Sequence, residues 1–244
     1  MIRRPLVLFI FLIFFSCQAE LRHEKSSKAY STMALFGGSY TVIPEADFIK
    51  DYWKSQYGIS IRDYGVRGAG FSILTSEDSI PRQVELACSD MTPAYDIYIL
   101  WASSNDFIKC NDNVGNLTDY SAYDNYSLSS LGTQCGGINY SITKIKEKAP
   151  NALILFLSSI PVFITDKGYS LNCSDSDEMS YFVMMQKKCC LIHGVAFLDQ
   201  FNGSAFTQQN FNDYYQTDGI HLNENGYKML LKPQISFFSS VFGI

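Results

Sequence analysis

The sequence is short of charge. Asp, Glu, Lys and Arg make up 18% of its 244 residues, against about a quarter in an average soluble domain. It has no long run of Lys or Arg, and its formal net charge is −5. A protein that grips nucleic-acid phosphates needs the opposite balance, so that class is excluded. Gly (16) and Pro (7) are too few for a collagen-like or low-complexity chain. No repeat recurs at a period of about 20 to 50 residues, which excludes a solenoid or propeller. No apolar run reaches the roughly 20 residues of a membrane-spanning helix. Several chemical signatures are missing too. There is no Cys-x-x-Cys or clustered Cys/His for zinc and no His-Glu-x-x-His. There is no phosphate loop of the Gly-x4-Gly-Lys type and no Gly-x-Ser-x-Gly elbow. What is present is a 47% apolar composition, enough for one large α/β domain and too much for wholesale disorder.

The first 17 residues read MIRRPLVLFIFLIFFSC. Arg3 and Arg4 precede an unbroken apolar run from Pro5 to Phe15, the pattern of a secretory leader. Ser16 before Cys17 resembles a bacterial lipoprotein signal, in which Cys17 becomes the lipidated first mature residue. The expected organisation is a signal peptide over 1–16, a lipidated Cys17 with a polar tether over 17–31, and one domain over 32–244. The expected location is the cell envelope, with free secretion as the alternative. The remaining six cysteines permit up to three disulfides in an oxidising compartment. The polar stretch between Cys110 and Cys135 singles out that pair as the expected bridge. Five Asn-x-Ser/Thr sequons, at Asn116, Asn125, Asn139, Asn172 and Asn202, are read as chance in so Asn- and Ser-rich a chain.

Apolar runs and helical patterns alternate along the rest. Strands are expected at Thr32–Phe36, Ile59–Tyr64, Ile97–Ala102, Ala152–Leu157 and Val195–Leu198. Helices are expected at Glu45–Gln56, Ile80–Cys88, Ile138–Lys148, Asp177–Ile192 and Glu224–Ser239, the last irregular at Pro233. Cys110–Gln134 reads as a surface insertion. Continuously apolar strands separated by helices imply a parallel sheet covered on both faces. The expected fold is a three-layer α/β/α sandwich with a central parallel sheet of about five strands. Sites in such sheets form beyond the C-terminal ends of the strands.

Those ends carry suggestive residues. After the first strand comes Gly37-Gly38-Ser39-Tyr40, and after the second, Gly65-Val66-Arg67-Gly68-Ala69-Gly70. After the third comes Ser103-Ser104-Asn105-Asp106, and near the C-terminus, Asp218-Gly219-Ile220-His221. A serine hydroxyl becomes nucleophilic when an imidazole takes its proton, and the imidazole needs a carboxylate to orient it. The developing oxyanion needs N–H donors. Ser39 and Gly68 can offer backbone N–H groups and Asn105 a side-chain amide. Of the other histidines, His193 reads as structural, and His23 lies in the tether.

In this order the four blocks resemble the SGNH hydrolase family, also called GDSL esterases/lipases. The resemblance covers roughly Thr32 to Ser239 and includes the stretch SITKIKEKAPNALILFL that ends at Leu157. It implies a flavodoxin-like sandwich, with Ser39 as nucleophile, His221 as base and Asp218 as the acid that orients it. It implies an oxyanion hole of Ser39, Gly68 and Asn105, and no cofactor or metal. The chain departs from the family pattern twice: Gly38 stands where Gly-Asp-Ser has Asp, and Ser103 stands where Gly-x-Asn-Asp has Gly. The expected activity is removal of an acyl group, acetyl first, from a carbohydrate or other small ester. The alternatives are acyl transfer on the same scaffold and a glycan-binding lipoprotein with a degenerate site. Tyr214 and Tyr215 could stack on a sugar ring, though ordinary packing is the better reading. The expected partners are the ester substrate, small or polysaccharide, and a membrane reached through the lipid, with no nucleic acid.

Overall fold

The computed structural model describes residues 30–73, 76–90, 93–110, 114–120, 131–164 and 176–243. The leader, Cys17, most of the tether, Cys173 and the sequons at Asn125 and Asn172 lie outside them. Five strands form one sheet: β1 (Thr32–Gly37), β2 (Ser60–Asp63), β3 (Ile97–Trp101), β4 (Leu153–Leu157) and β5 (Ala196–Leu198). Their order is β2-β1-β3-β4-β5, and every pairing is parallel. The helices are α1 (Ser39–Val42), α2 (Asp47–Tyr57), α3 (Ile80–Asp90), α4 (Asn105–Cys110), α5 (Gln134–Lys148), α6 (Ser176–Ile192), α7 (Gln200–Gly203), α8 (Phe211–Tyr214) and α9 (Glu224–Phe242). This is the α/β/α sandwich expected from the sequence.

The period-2 geometry of the strands sorts the core into two layers. Ala34, Phe36, Tyr98, Leu100, Ile154 and Phe156 face Val84 of α3, Ile138 and Ile142 of α5, and Phe182 of α6. Met33, Leu35, Ile97, Ile99, Trp101, Leu155 and Leu157 face Ile49 and Trp53 of α2 and Leu230 and Phe238 of α9. Burial on both faces is why these strands read as unbroken apolar runs.

The strand order also fixes where a site can form. The chain winds from β1 to β2 on one side, then crosses to β3 on the other, so the order reverses between β1 and β3. Loops diverge there and leave a crevice beyond the strand ends. Gly37 is in register with Trp101, so β1 and β3 end level. The residues that follow, Gly38-Ser39 and Ala102 to Asn105, therefore run side by side.

Two sequence expectations change. Helix α5 starts at Gln134 rather than Ile138, because Thr133 caps it, its hydroxyl accepting the Gly136 N–H at 3.1 Å. Gly136 and Gly137 look like helix breakers, yet Gly137 is needed for a close approach: a Cβ there would lie 2.0 Å from the Phe71 carbonyl oxygen. The second change concerns the cysteines. Cys135 is a free, fully buried thiol, so the expected bridge to Cys110 is not formed. Cys135 belongs to the first turn of α5, where it enters the core against Cys189 of α6 instead of staying with the insertion. The Cys110 side chain lies outside the described residues. Pro233 sits inside α9 without ending it.

Replacing Gly137 by Ala tests the close approach. It should cost about 1–3 kcal/mol, the usual penalty for forcing a methyl into a filled site, as read from the urea midpoint. A change within about 0.5 kcal/mol, the size of a neutral surface substitution, would contradict it.

Candidate active site

Each strand-end block is held by its own local bonds. Gly38 precedes α1, and its carbonyl accepts from the Thr41 N–H at 3.2 Å and the Thr41 hydroxyl at 3.1 Å. Ser39 is the first residue of α1, so its backbone N–H has no acceptor within the helix. Tyr40 is buried. Its hydroxyl shares a 2.9 Å hydrogen bond with Ser104, and its carbonyl accepts from the Tyr227 hydroxyl of α9 at 2.9 Å. Burial pushes the Tyr40 phenol well above its ordinary range, so it stays neutral.

The loop after β2 folds back on itself. Gly65 N–H donates to Asp63 Oδ1 at 2.8 Å, and Val66 N–H to the Gly37 carbonyl at 3.1 Å. Gly68 has φ +82°, a left-handed conformation that costs a side-chain-bearing residue free energy. The next carbonyl, Ala69, accepts from Ser103 Oγ at 2.6 Å and from Asn105 Nδ2 at 3.1 Å. Asp106, 1% exposed, accepts the Phe71 and Ser72 N–H groups, each at 2.8 Å. Its carboxyl is pushed up from 3.8 to about 6: burial raises it, and the two backbone N–H groups offset part of that.

Asp218 and His221 form a tight turn. Asp218 Oδ1 accepts the Ile220 and His221 N–H groups at 2.9 Å each. Asp218 Oδ2 lies 2.6 Å from His221 Nδ1. Gly219, at φ +67°, closes the turn against Phe163; a Cβ there would lie 1.9 Å from the Phe163 carbonyl oxygen. Burial raises the Asp218 carboxyl, but hydrogen bonds from the His221 ring and from the two backbone N–H groups outweigh it and hold the group below its usual 3.8. An ionised carboxylate only accepts, which assigns the proton to Nδ1 and leaves Nε2 with a lone pair. Nε2 makes no hydrogen bond among the described residues.

These pieces meet. Ser39, Gly68, Asn105 and His221 share the wall of one cavity of about 430 Å³, together with Arg67, Gln216 and the apolar side chains of Ile43, Ile108 and Ile220. Ser39 is 7% exposed and lines this cavity. Among the described residues Ser39 Oγ makes no hydrogen bond to His221; such contacts often tighten only on substrate binding.

The profile of the GDSL-like Lipase/Acylhydrolase family matches residues 31–229. The chain belongs to that family. Among solved structures it resembles a Lactobacillus plantarum protein, with a TM-score of 0.68 and 16% identity, over 87% of this chain and 98% of the other. It also resembles the lipase/acylhydrolase from Enterococcus faecalis, with a TM-score of 0.53 and 13% identity, over 87% and 96% of the two chains. At these identities the likeness is one of fold. No curated protein matches the sequence. A GDSL-like acylhydrolase of this kind is a hydrolase.

Of the sequence candidates, Ser39, Gly68, Asn105 and His221 share the cavity and Asp218 stands behind His221, while the groups that hold them were not foreseen. Asp106 and Tyr40 stand beside Asn105 and Ser39, but nothing local shows that one grips the β2 loop and the other the β3 loop. Tyr215 is a core residue, not a sugar platform: it is buried against Phe163 and Phe206, and its hydroxyl donates to the Pro161 carbonyl at 2.7 Å. Tyr214 tilts on Phe206 and does not line the cavity. His193 is structural as expected, its ring bonded to Asn139 and its pKa lowered by burial.

Asp106 has a testable signature in stability. Its folded pKa, about 6, lies above the unfolded 3.8, so its stabilisation is complete below about pH 4 and is lost as the pH rises through 6. The stability of the wild type relative to Asp106→Asn should fall between pH 4 and 7 by up to about 3 kcal/mol. Urea unfolding of both proteins across that range checks it, and a constant or growing difference would overturn it.

Proposed function

We propose that the chain hydrolyses esters through an acyl-enzyme on Ser39. The observation that carries this reading is His221, paired with Asp218 at 2.6 Å, on the wall of the cavity that Ser39 and Asn105 also line. His221 Nε2 takes the hydroxyl proton as Ser39 Oγ attacks the ester carbonyl. Asp218 stabilises the imidazolium that forms. The Ser39 and Gly68 N–H groups and the Asn105 amide receive the oxyanion. The imidazolium returns the proton to the leaving alcohol. Water, deprotonated by the same nitrogen, then releases the acid and restores Ser39.

The substrate reading is a short acyl group, acetyl first, carried by a carbohydrate or another small alcohol. A cavity of about 430 Å³ walled in part by Ile43, Ile108 and Ile220 suits a short acyl chain and leaves the alcohol toward solvent. The leader and Cys17 support an envelope-anchored protein that meets such esters outside the cytoplasm.

Ser39→Ala and His221→Ala should each abolish turnover of a chromogenic acetyl ester, and the double variant should be scarcely worse than either. Asp218→Asn, which disturbs only orientation and imidazolium stability, should retain more activity than Ser39→Ala. Additive losses in the double variant, or full activity in folded Ser39→Ala, would overturn the assignment. The anchor has its own test: Cys17→Ser should abolish lipid labelling and release the protein from membranes, and membrane retention at the wild-type level would reject it.

A further inference from the structure

The oxyanion donor Asn105 is held in an unusual way, by a serine two residues before it. Ser103 is 2% exposed. Its hydroxyl donates to the Ala69 carbonyl at 2.6 Å and accepts twice from Asn105, from Nδ2 at 3.0 Å and from the backbone N–H at 3.3 Å. Asn105 Nδ2 also lies 3.1 Å from the same Ala69 oxygen. The sides 3.1, 3.0 and 2.6 Å give cos θ = (3.1² + 3.0² − 2.6²)/(2 × 3.1 × 3.0), or about 50° at Nδ2 between the two acceptors. The two N–H bonds of a planar amide diverge by about 120°. They cannot both point at acceptors so close together.

We propose that Ser103 is the positioning residue of the oxyanion hole: with the Ala69 carbonyl it captures one N–H of Asn105 between two acceptors and leaves the other directed at the cavity where Ser39 lies. The Ala69 carbonyl alone would leave the amide free to pivot about a single bond. The hydroxyl supplies the second acceptor, and it also fastens the Asn105 backbone, so both ends of the residue are fixed. Ser103 is itself fixed, because its proton is committed to Ala69.

Gly38 belongs to the same arrangement. A Cβ at position 38 would lie 2.7 Å from the Ala69 oxygen, 3.0 Å from Ser103 Cβ and 3.2 Å from Asn105 Nδ2. A side chain there would press on all three members of the clamp. The two departures from the family pattern are therefore one device: the bare backbone at 38 makes room for the side chain at 103.

The inference rests on the oxyanion role of Asn105, and a four-member cycle separates the two. Wild type, Ser103→Ala, Asn105→Ala and the double variant are compared by kcat and KM on a chromogenic acetyl ester, with folding followed by thermal melting. Ser103→Gly runs in parallel, so that misfolding of one variant leaves the cycle closed by the other. Asn105→Ala should lower kcat about 10²- to 10³-fold. Ser103→Ala should lower kcat about tenfold, the effect of one lost hydrogen bond, with KM unchanged. In the Asn105→Ala background its removal should have no further effect. Multiplying losses, an unchanged kcat in Ser103→Ala, or a loss confined to KM would overturn the positioning role. An unchanged kcat in Asn105→Ala would instead overturn the oxyanion reading on which it rests.

Discussion

The loop after β2 is tied to β1 through the Val66 N–H bond to the Gly37 carbonyl, and the geometry of the site depends on its further attachment to the loop after β3. That attachment is a buried polar seam. The Ala69 carbonyl accepts from Ser103 and Asn105, and the Asp106 carboxyl accepts from Phe71 and Ser72. Three residues of the β2 loop, Ala69, Phe71 and Ser72, thus find partners within the four residues 103–106 of the other loop. Each of these groups is costly to bury alone. Together they satisfy one another, and the cost of breaking any bond keeps the remainder in place. Gly68 and Asn105 face one cavity because their neighbours are tied, not because either is locally constrained.

The sheet sets up this seam and the rest of the site follows from it. Gly37 level with Trp101 brings Ser39 beside the β3 loop. Tyr40 then links α1 to Ser104 on one side and, through its carbonyl, to Tyr227 of α9 on the other. The Asp218–His221 turn comes from the segment just before α9, whose first turn is capped by Asn223 accepting from Gly226 N–H at 3.1 Å. Helix α9 therefore connects to both Ser39 and His221, which lie some 180 residues apart in sequence.

Much of this was legible in the sequence. The strands of the two-sided core announced themselves as apolar runs, and Ser39, Gly68 and Asn105, which follow β1, β2 and β3, line one cavity with His221. What could not be read were relations between distant segments. Gly136-Gly137 has the local look of a break, and only the approach of Phe71 explains its place inside α5. Cys135 looked like the partner of Cys110 because both border a polar stretch, while its helix turn carries it into the core beside Cys189. Asp106 looked like an ordinary companion of Asn105, and its burial and two backbone donors depend on where the β2 loop ends. Gly38 and Ser103 looked like two separate departures from a motif, and in three dimensions a Cβ at 38 would lie 3.0 Å from Ser103 Cβ.

The central claim is that these loops converge on Ser39 as a nucleophile. Trapping with a small, electrophilic phosphonate ester tests it most directly, because the reagent forms a stable bond to an activated serine. Intact mass should show one adduct per chain, and peptide mapping should place it on Ser39. The adduct should be absent from His221→Ala. An adduct on another residue, or continued ester turnover by protein whose Ser39 is fully modified, would contradict the account.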